Sequence, residues 1–309
     1  MYKRQGYVDS DYWWNSKSSP QENVVGDVMV YFWAAIIFWI LAWMVNVWIS
    51  RQKENRFFNI APPVLFGMSI LFIWESCVVT FNVSPVILPP PSAIYMKFMS
   101  SIPILWEDFV QTAIKGALSG YIIGCVAAFI VSLIADRFNF LERGLLPIGN
   151  FLAAMPIIGI APILVMWYGY GWQSKAAVVA VMVFFPILVN TVQGLKMSDK
   201  IHRDLMQTYN ASYFQTMIKL RLSTAMPFIF NGLKICTTLA LIGAIVAEFF
   251  GSPIRGMGFR ISTEAPRFAL DMVWAEITVA AMAGSLFYGG VVLLEKWTTF
   301  WHPSQRGKI

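Results

Sequence analysis

Charged side chains are scarce in this chain of 309 residues: Asp, Glu, Lys and Arg make up 13% of it, against roughly 25% in a soluble globular domain. That is too little polar surface to cover a water-facing body of this size. Histidine is nearly absent, with only His202 and His302, and neither has a partner at metal-ligand or H-E-x-x-H spacing. The three cysteines, Cys77, Cys125 and Cys236, all lie in apolar runs, where they read as small packing residues rather than a disulfide framework or a metal site. No G-x4-G-K-[ST] occurs, so a phosphate-cradling loop is missing and no ATP site is expected. A membrane-embedded enzyme would need a metal or nucleophile set, and none is visible.

What the chain does have is apolar length. Hydrophobic residues make up 57% of it, and the mean hydropathy is +0.60. Seven runs stand out: Val28–Ile49, Ile60–Thr80, Gly116–Ala135, Leu145–Tyr168, Ala176–Leu195, Pro227–Phe250 and Val273–Leu294. Each reaches the roughly 20 residues a helix needs to cross a bilayer. A helix satisfies its own backbone polar groups, so the expected fold class is an all-α integral membrane protein with about seven transmembrane helices. The ~10-residue alternating segments of a membrane β-barrel are missing. The first run is too long for the apolar region of a cleavable signal and is expected to stay as a membrane helix.

Lys and Arg set the expected orientation. One face collects thirteen: Arg51, Lys53, Arg56, Arg137, Arg143, Lys196, Lys200, Arg203, Lys219, Arg221, Lys296, Arg306 and Lys308. The other collects seven: Lys3, Arg4, Lys17, Lys97, Arg255, Arg260 and Arg267. The richer face is expected in the cytoplasm, which puts the N-terminus outside and the C-terminus inside. Loop cations of this kind explain the net charge of +6 without nucleic acid as a partner.

The longest charged loop on the cytoplasmic face is 196–226. Its centre, DLMQTYNASYFQTMIKLRL, places Leu205, Tyr209, Phe214, Ile218 and Leu222 on one helical stripe. A solvated or interfacial helix would give this pattern, and so would a short helix that docks another protein. The loop resembles the cytoplasmic coupling loop of ABC-importer permeases, E-A-A-x3-G-x9-I-x-L-P. Asp204-Leu205-Met206 stand at the acidic start, Asn210 at the glycine, and Leu220-Arg221-Leu222-Ser223 at the end. Three further segments resemble the same family: ILPPPSAI (Ile87–Ile94), AMPIIGIAPILVMWYGYG (Ala154–Gly171) and IVAEFFGSPIRGMGF (Ile245–Phe259). The subgroup these segments resemble is the nitrate/sulfonate/taurine-type permeases, which also includes carriers of pyrimidine and flavin vitamins.

The resemblance implies a six-helix type I importer core over residues 60–303. It leaves residues 1–59 as an added tail, helix and linker, and 304–309 as a cytoplasmic tail. It also implies a bacterial inner (plasma) membrane location. The expected partners are cytoplasmic ABC ATPase subunits, a second permease copy or paralogue, an extracytoplasmic solute-binding protein and membrane lipid. ATP and Mg²⁺ would be used by the ATPase, with no cofactor bound by this chain. The residues expected to meet the ATPase are Asp204, Leu205, Met206, Tyr209, Asn210, Ala211, Ser212, Phe214, Leu220 and Leu222. Asn210, in place of glycine, is expected to take positive φ and turn one short helix into the next. A secondary transporter or channel working without ATP is the rival, and would be expected to carry paired ion-coordinating acids and inverted repeats.

Candidate pathway residues are Glu75, Pro156, Pro162, Asn190 and Glu248. Pro147, Pro156 and Pro162 should kink or break the fourth run, and broken membrane helices line protein or a wet cavity. A carboxylate at membrane depth is expected to face the interior or a partner, so Glu75 could pair with Lys115 or Lys234. Gly116, Gly120, Gly124 and Ala128 form a stripe of small residues suited to close helix packing, with the partner helix open. LPPPS (Leu88–Ser92) is expected to be extended, because consecutive prolines favour polyproline geometry.

Overall fold

The structure, a computed structural model, describes residues 20–50, 56–153, 156–251 and 254–301. The N-terminal tail, the 51–55 linker and the 304–309 tail of the sequence reading lie outside the described residues. Among the described residues there are helices and no strands. The chain divides into two compact units, Met1–Lys97 and Phe98–Ile309.

The first unit holds α1 (Pro20–Ser50) and α2 (Arg56–Thr80), followed by the start of α3 (Pro91–Ser100). Ala35, Ala42 and Ile49 are buried seven residues apart on α1, and Ser69 and Ser76 are buried at the same spacing on α2. Small residues at a seven-residue period let two membrane helices approach along a shared seam. Phe38 meets Phe72, and Phe32 meets Phe81, at 5.0 and 5.8 Å between ring centres. Trp33, Trp43 and Trp48 on α1 are exposed, as expected of an apolar helix surface bathed in lipid.

The second unit begins with α4 (Ile102–Phe109), which runs through a π-helical turn at Val110–Leu118 into α5 (Ser119–Arg137). This is one continuous helix of 36 residues, starting well before the expected Gly116. Asp108, within this rod, is fully buried because tertiary partners satisfy it. Next come α6 (Asn139–Ala153) and α7 (Ile157–Tyr168). The single span expected at Leu145–Tyr168 is therefore two helices. Pro156 caps α7 at ψ 118°, outside the helical region, and it has no N–H to continue the ladder. α7 alone spans about 18 Å, short of a full crossing.

α8 (Trp172–Lys196) is the most enclosed element, with Val178, Val179, Val183, Leu188, Val192 and Leu195 at or near zero exposure. The small-residue stripe of α5 packs against it. A Cβ on Gly120 would sit 2.6 Å from Val179 Cβ, and one on Gly124 would sit 2.6 Å from the Ala180 carbonyl. This answers which helix the stripe serves: it is α8 of the same chain. After α8 come α9 (Lys200–Thr208), α10 (Tyr213–Thr216), a π turn at Met217–Leu222 and α11 (Ser223–Phe249), the last three forming one rod. Gly194 and Gly232 let α8 and α11 meet as closely, against Ala225 and Asn190 respectively. The chain closes with α12 (Met257–Glu264) and α13 (Leu270–Thr298). Six helical segments among the described residues are long and apolar enough to cross a membrane, with α7 as a shorter apolar helix.

Leu88–Ser92 differs from expectation. The extended stretch stops at Pro90, because Pro91 opens α3, and proline is favoured at a first helical position where its missing N–H is not needed.

Candidate functional site

The loop between α8 and α11 is built from two capped helices. The Asp199 side chain accepts from the Ile201 N–H at 3.1 Å and starts α9. The helix ends at Asn210, which has φ +50°. Ala211 N–H donates to Met206 O at 2.9 Å and Asn210 N–H to Gln207 O at 2.8 Å. This is the paired bonding of a left-handed helix cap, with Asn where glycine is usual. Two residues on, Ser212 and Gln215 form a reciprocal capping box, with bonds of 3.3 and 2.9 Å, that starts α10. The expected helix–turn–helix is present, with Ala211 and Ser212 in the turn and the second helix opening at Tyr213.

This geometry leaves apolar side chains in the open. Leu205 is 50% exposed, Tyr209 76% and Phe214 70%. Met206, Ala211, Leu220 and Leu222 are half-buried, while Asp204 and Ser212 are exposed. Met217 turns inward and packs with Leu195, Ala225 and Ile229. The loop is thus fixed on one side and presents a row of large apolar groups on the other.

At the opposite end of α5, α8 and α11 lies a buried polar knot. Glu248, 1% exposed, accepts from Thr112 Oγ1 at 2.9 and 2.8 Å and from the Gly258 N–H at 2.8 Å. Thr112 accepts in turn from Met257 N–H at 2.8 Å, and Asp108 accepts from Gly256 N–H at 2.6 Å and Arg260 Nε at 2.8 Å. Burial works against the Arg260 charge, but the Asp108 carboxylate outweighs it and raises the guanidinium above its usual range. Lys175 is fully buried and donates to the Tyr170 carbonyl at 2.7 Å and to that of Gly251. Gly256, at φ +127°, brings its backbone so close to Glu248 that a Cβ would fall 2.5 Å from the carboxyl carbon. The IVAEFFGSPIRGMGF segment is therefore held by carboxylates on its own backbone N–H groups.

Of the five candidate pathway residues, Glu75 belongs to the first unit and the other four to the second. Glu75 accepts from Ser92 N at 2.9 Å and Ser92 Oγ at 2.7 Å, so it sits at the N-terminus of α3, where a negative charge is favoured. The expected partner Lys234 instead meets Glu295 at 2.9 Å. Asn190 donates to Pro186 O at 2.8 Å and packs on Gly232. Glu248 lies sixteen residues beyond Gly232 on the same helix, about 24 Å away. Pro156 is exposed at the N-cap of α7 and Pro162 is half-buried within it, while the helix packs through Ala161 and Leu164 against Val178 and Ala247.

Asp108, Thr112 and Arg260 were missed by the sequence reading. The signal was there: an acid inside the apolar stretch ILWEDFVQTAI, which counts as intramembrane once the span is started at Ile102. An apolar groove of about 290 Å³ runs between α4 and α13, lined by Phe98, Leu105, Trp106, Met282 and Leu286 among others; it offers no polar group to a solute.

Comparison with known proteins places this architecture. Residues 120–300, more than half of the chain, match the family described as binding-protein-dependent transport system inner membrane component. A probable ABC transporter permease protein of Haemophilus influenzae is 29% identical over 73% of this chain and 91% of its own length. The formylaminopyrimidine transport permease protein of Halalkalibacterium halodurans is 29% identical over 81% of this chain and all of its own length. A putative aliphatic sulfonates transport permease protein of Bacillus subtilis is 28% identical over 84% of this chain and 94% of its own length. The chain belongs to the binding-protein-dependent inner-membrane permeases, and is the multi-pass permease component of an ABC importer rather than an enzyme.

Proposed function

We propose that this chain, with a second copy or a related permease chain, forms the membrane pathway of an ATP-driven importer of a small solute. An extracytoplasmic binding protein delivers the solute, and cytoplasmic ATPase subunits using ATP and Mg²⁺ dock on the α9–α10 loop. The N-terminus lies outside and the C-terminus inside. The observation that carries the reading is the capped loop: two short helices around a left-handed Asn210 present Leu205, Tyr209 and Phe214 to solvent. Large apolar anchors on a rigid backbone are what a groove on a partner can grip. Binding of nucleotide by that partner then biases a two-state pore through the loop. The solute is a nitrate-, sulfonate- or taurine-like anion or a pyrimidine or flavin vitamin precursor, and relatives named for sulfonates, taurine, a formylaminopyrimidine and riboflavin support this range.

The test is affinity recovery of the tagged chain from its native membrane in mild detergent. Co-recovery of a nucleotide-binding subunit supports the importer, and its loss in a Leu205→Asp/Phe214→Asp variant places the contact. Solute uptake by the chain alone in ATP-free vesicles would sink the reading. Labelled taurine, an alkanesulfonate, riboflavin and a pyrimidine, tested one by one in the complete system, choose among the solutes.

A further inference from the structure

Asp136 ends α5 and takes part in a contact that neither the family match nor the docking loop assigns. Its two carboxylate oxygens receive the fork of Arg221, Nη1 on Oδ2 at 2.7 Å and Nη2 on Oδ1 at 2.6 Å. The two residues are 85 apart in sequence. The Asp136 side chain is 3% exposed and that of Arg221 16%, so water and salt screen the pair little. Two further bonds tie other elements to it. Arg221 Nε donates to Leu195 O at 3.2 Å, one of the carbonyls left over in the last turn of α8, and Tyr213 Oη donates to Asp136 Oδ2 at 3.1 Å. The neighbouring Arg137 lies over the Tyr213 ring, 4.6 Å from its centre.

Three elements are thereby joined at one ion pair: the end of α5, which supplies the carboxylate, the end of α8, whose Leu195 carbonyl accepts from Arg221, and the second helix of the loop, which continues into α11. Above this point α5, α8 and α11 are already locked by glycine contacts. Besides its continuation into α11, the Tyr213–Leu222 segment meets this block through Met217 and Leu222, which pack with Leu195, Ala225 and Ile229. Planar, two-pronged pairing fixes orientation as well as distance, which a lysine could not do.

We propose that Asp136 and Arg221, with Tyr213, form a clamp that makes the docking loop and the α5–α8–α11 block one rigid body. A push on the loop is then passed to the membrane helices instead of being absorbed by bending at the π turn. Both are positioning residues, acting at a distance from any solute. The inference rests on the importer reading above.

The experiment uses the intact complex recovered through a tag on this chain. It carries Cys77→Ser and an environment-sensitive fluorophore on Trp167→Cys, an exposed position at the far end of α7. Mg-ATP with vanadate supplies the push, and the change in fluorescence reports the response. In Asp136→Asn and Arg221→Gln the response is expected to fall about tenfold while ATPase recovery and ATP hydrolysis stay within about twofold of the parent. Arg221→Lys should fall between, and Asp136→Glu should recover most of the signal. A purely structural role would lower recovery and hydrolysis together with the response. An undiminished response in Asp136→Asn, or loss of the ATPase subunit from it, overturns the clamp alone. Absence of an ATPase subunit from the parent complex overturns the importer reading and the clamp with it.

Discussion

The two ends of the α5–α8–α11 block are both held by charge, and they are held differently. At the far end Asp108 and Glu248 accept from the backbone N–H groups of Gly256 and Gly258 as well as from the side chains of Arg260 and Thr112. A carboxylate on main-chain donors fixes the path of the loop itself. At the docking end Asp136 is bonded to side chains only, those of Arg221 and Tyr213. A side-chain pair fixes where a helix sits and leaves its backbone to its own caps. One end is a knot in the chain and the other a clamp between rods, as the proposed docking surface would need.

The largest expected effect is at the knot. Glu248→Ala strands the Gly258 N–H and the Thr112 hydroxyl in a dry site, and at about 1–3 kcal/mol per stranded group the loss should reach about 4 kcal/mol. Thermal unfolding in detergent measures it, with Glu248→Gln expected to lose about half as much because one acceptor remains. Equal losses would mean that charge, rather than acceptor count, holds the knot.

Next comes the block that joins the two ends. Gly124→Val would drive its Cβ to 2.6 Å from the Ala180 carbonyl and 2.8 Å from Ala180 Cα. That is backbone, which cannot rotate away, and a loss of about 3 kcal/mol is expected in the same assay. Gly116→Ala meets side chains at 3.3 and 3.5 Å and should cost well under about 1 kcal/mol.

At the docking end the effect is smaller and local. Asn210→Val pays the penalty of a β-branched residue at positive φ, about 1–2 kcal/mol, and should weaken ATPase co-recovery. Asn210→Gly should leave recovery unchanged. Valine tolerated as well as glycine would show that the turn does not depend on that backbone state. The smallest effect belongs to the first helix. Deleting residues 1–50 should leave unfolding of the remaining chain and ATPase recovery at parental values, since the family match begins at residue 120. Lost recovery would make α1 part of the assembled interface.

Much of this was legible in residue order. Apolar runs of spanning length exposed the helices, because in lipid each must close its own hydrogen bonds. The four-residue spacing of Gly116, Gly120 and Gly124 foretold a close helix contact. Asn at the glycine position foretold the φ of Asn210, since few other side chains tolerate it. These are local properties, carried by a residue and its near neighbours.

Tertiary structure alone decided which groups those properties would meet. Sequence could mark Glu75 and Lys234 as costly at membrane depth, but it could not say that Ser92 and Glu295 would answer them. It offered three prolines as places for a break, and the structure broke at Pro156 while α6 and α7 absorbed Pro147 and Pro162. Asp108 was missed as a site residue, because Gly256 and Arg260, which fold back onto it, stand some 150 residues away. A buried charge is tolerable only when its partner arrives, and where the partner stands in the chain is not constrained by the residue that needs it.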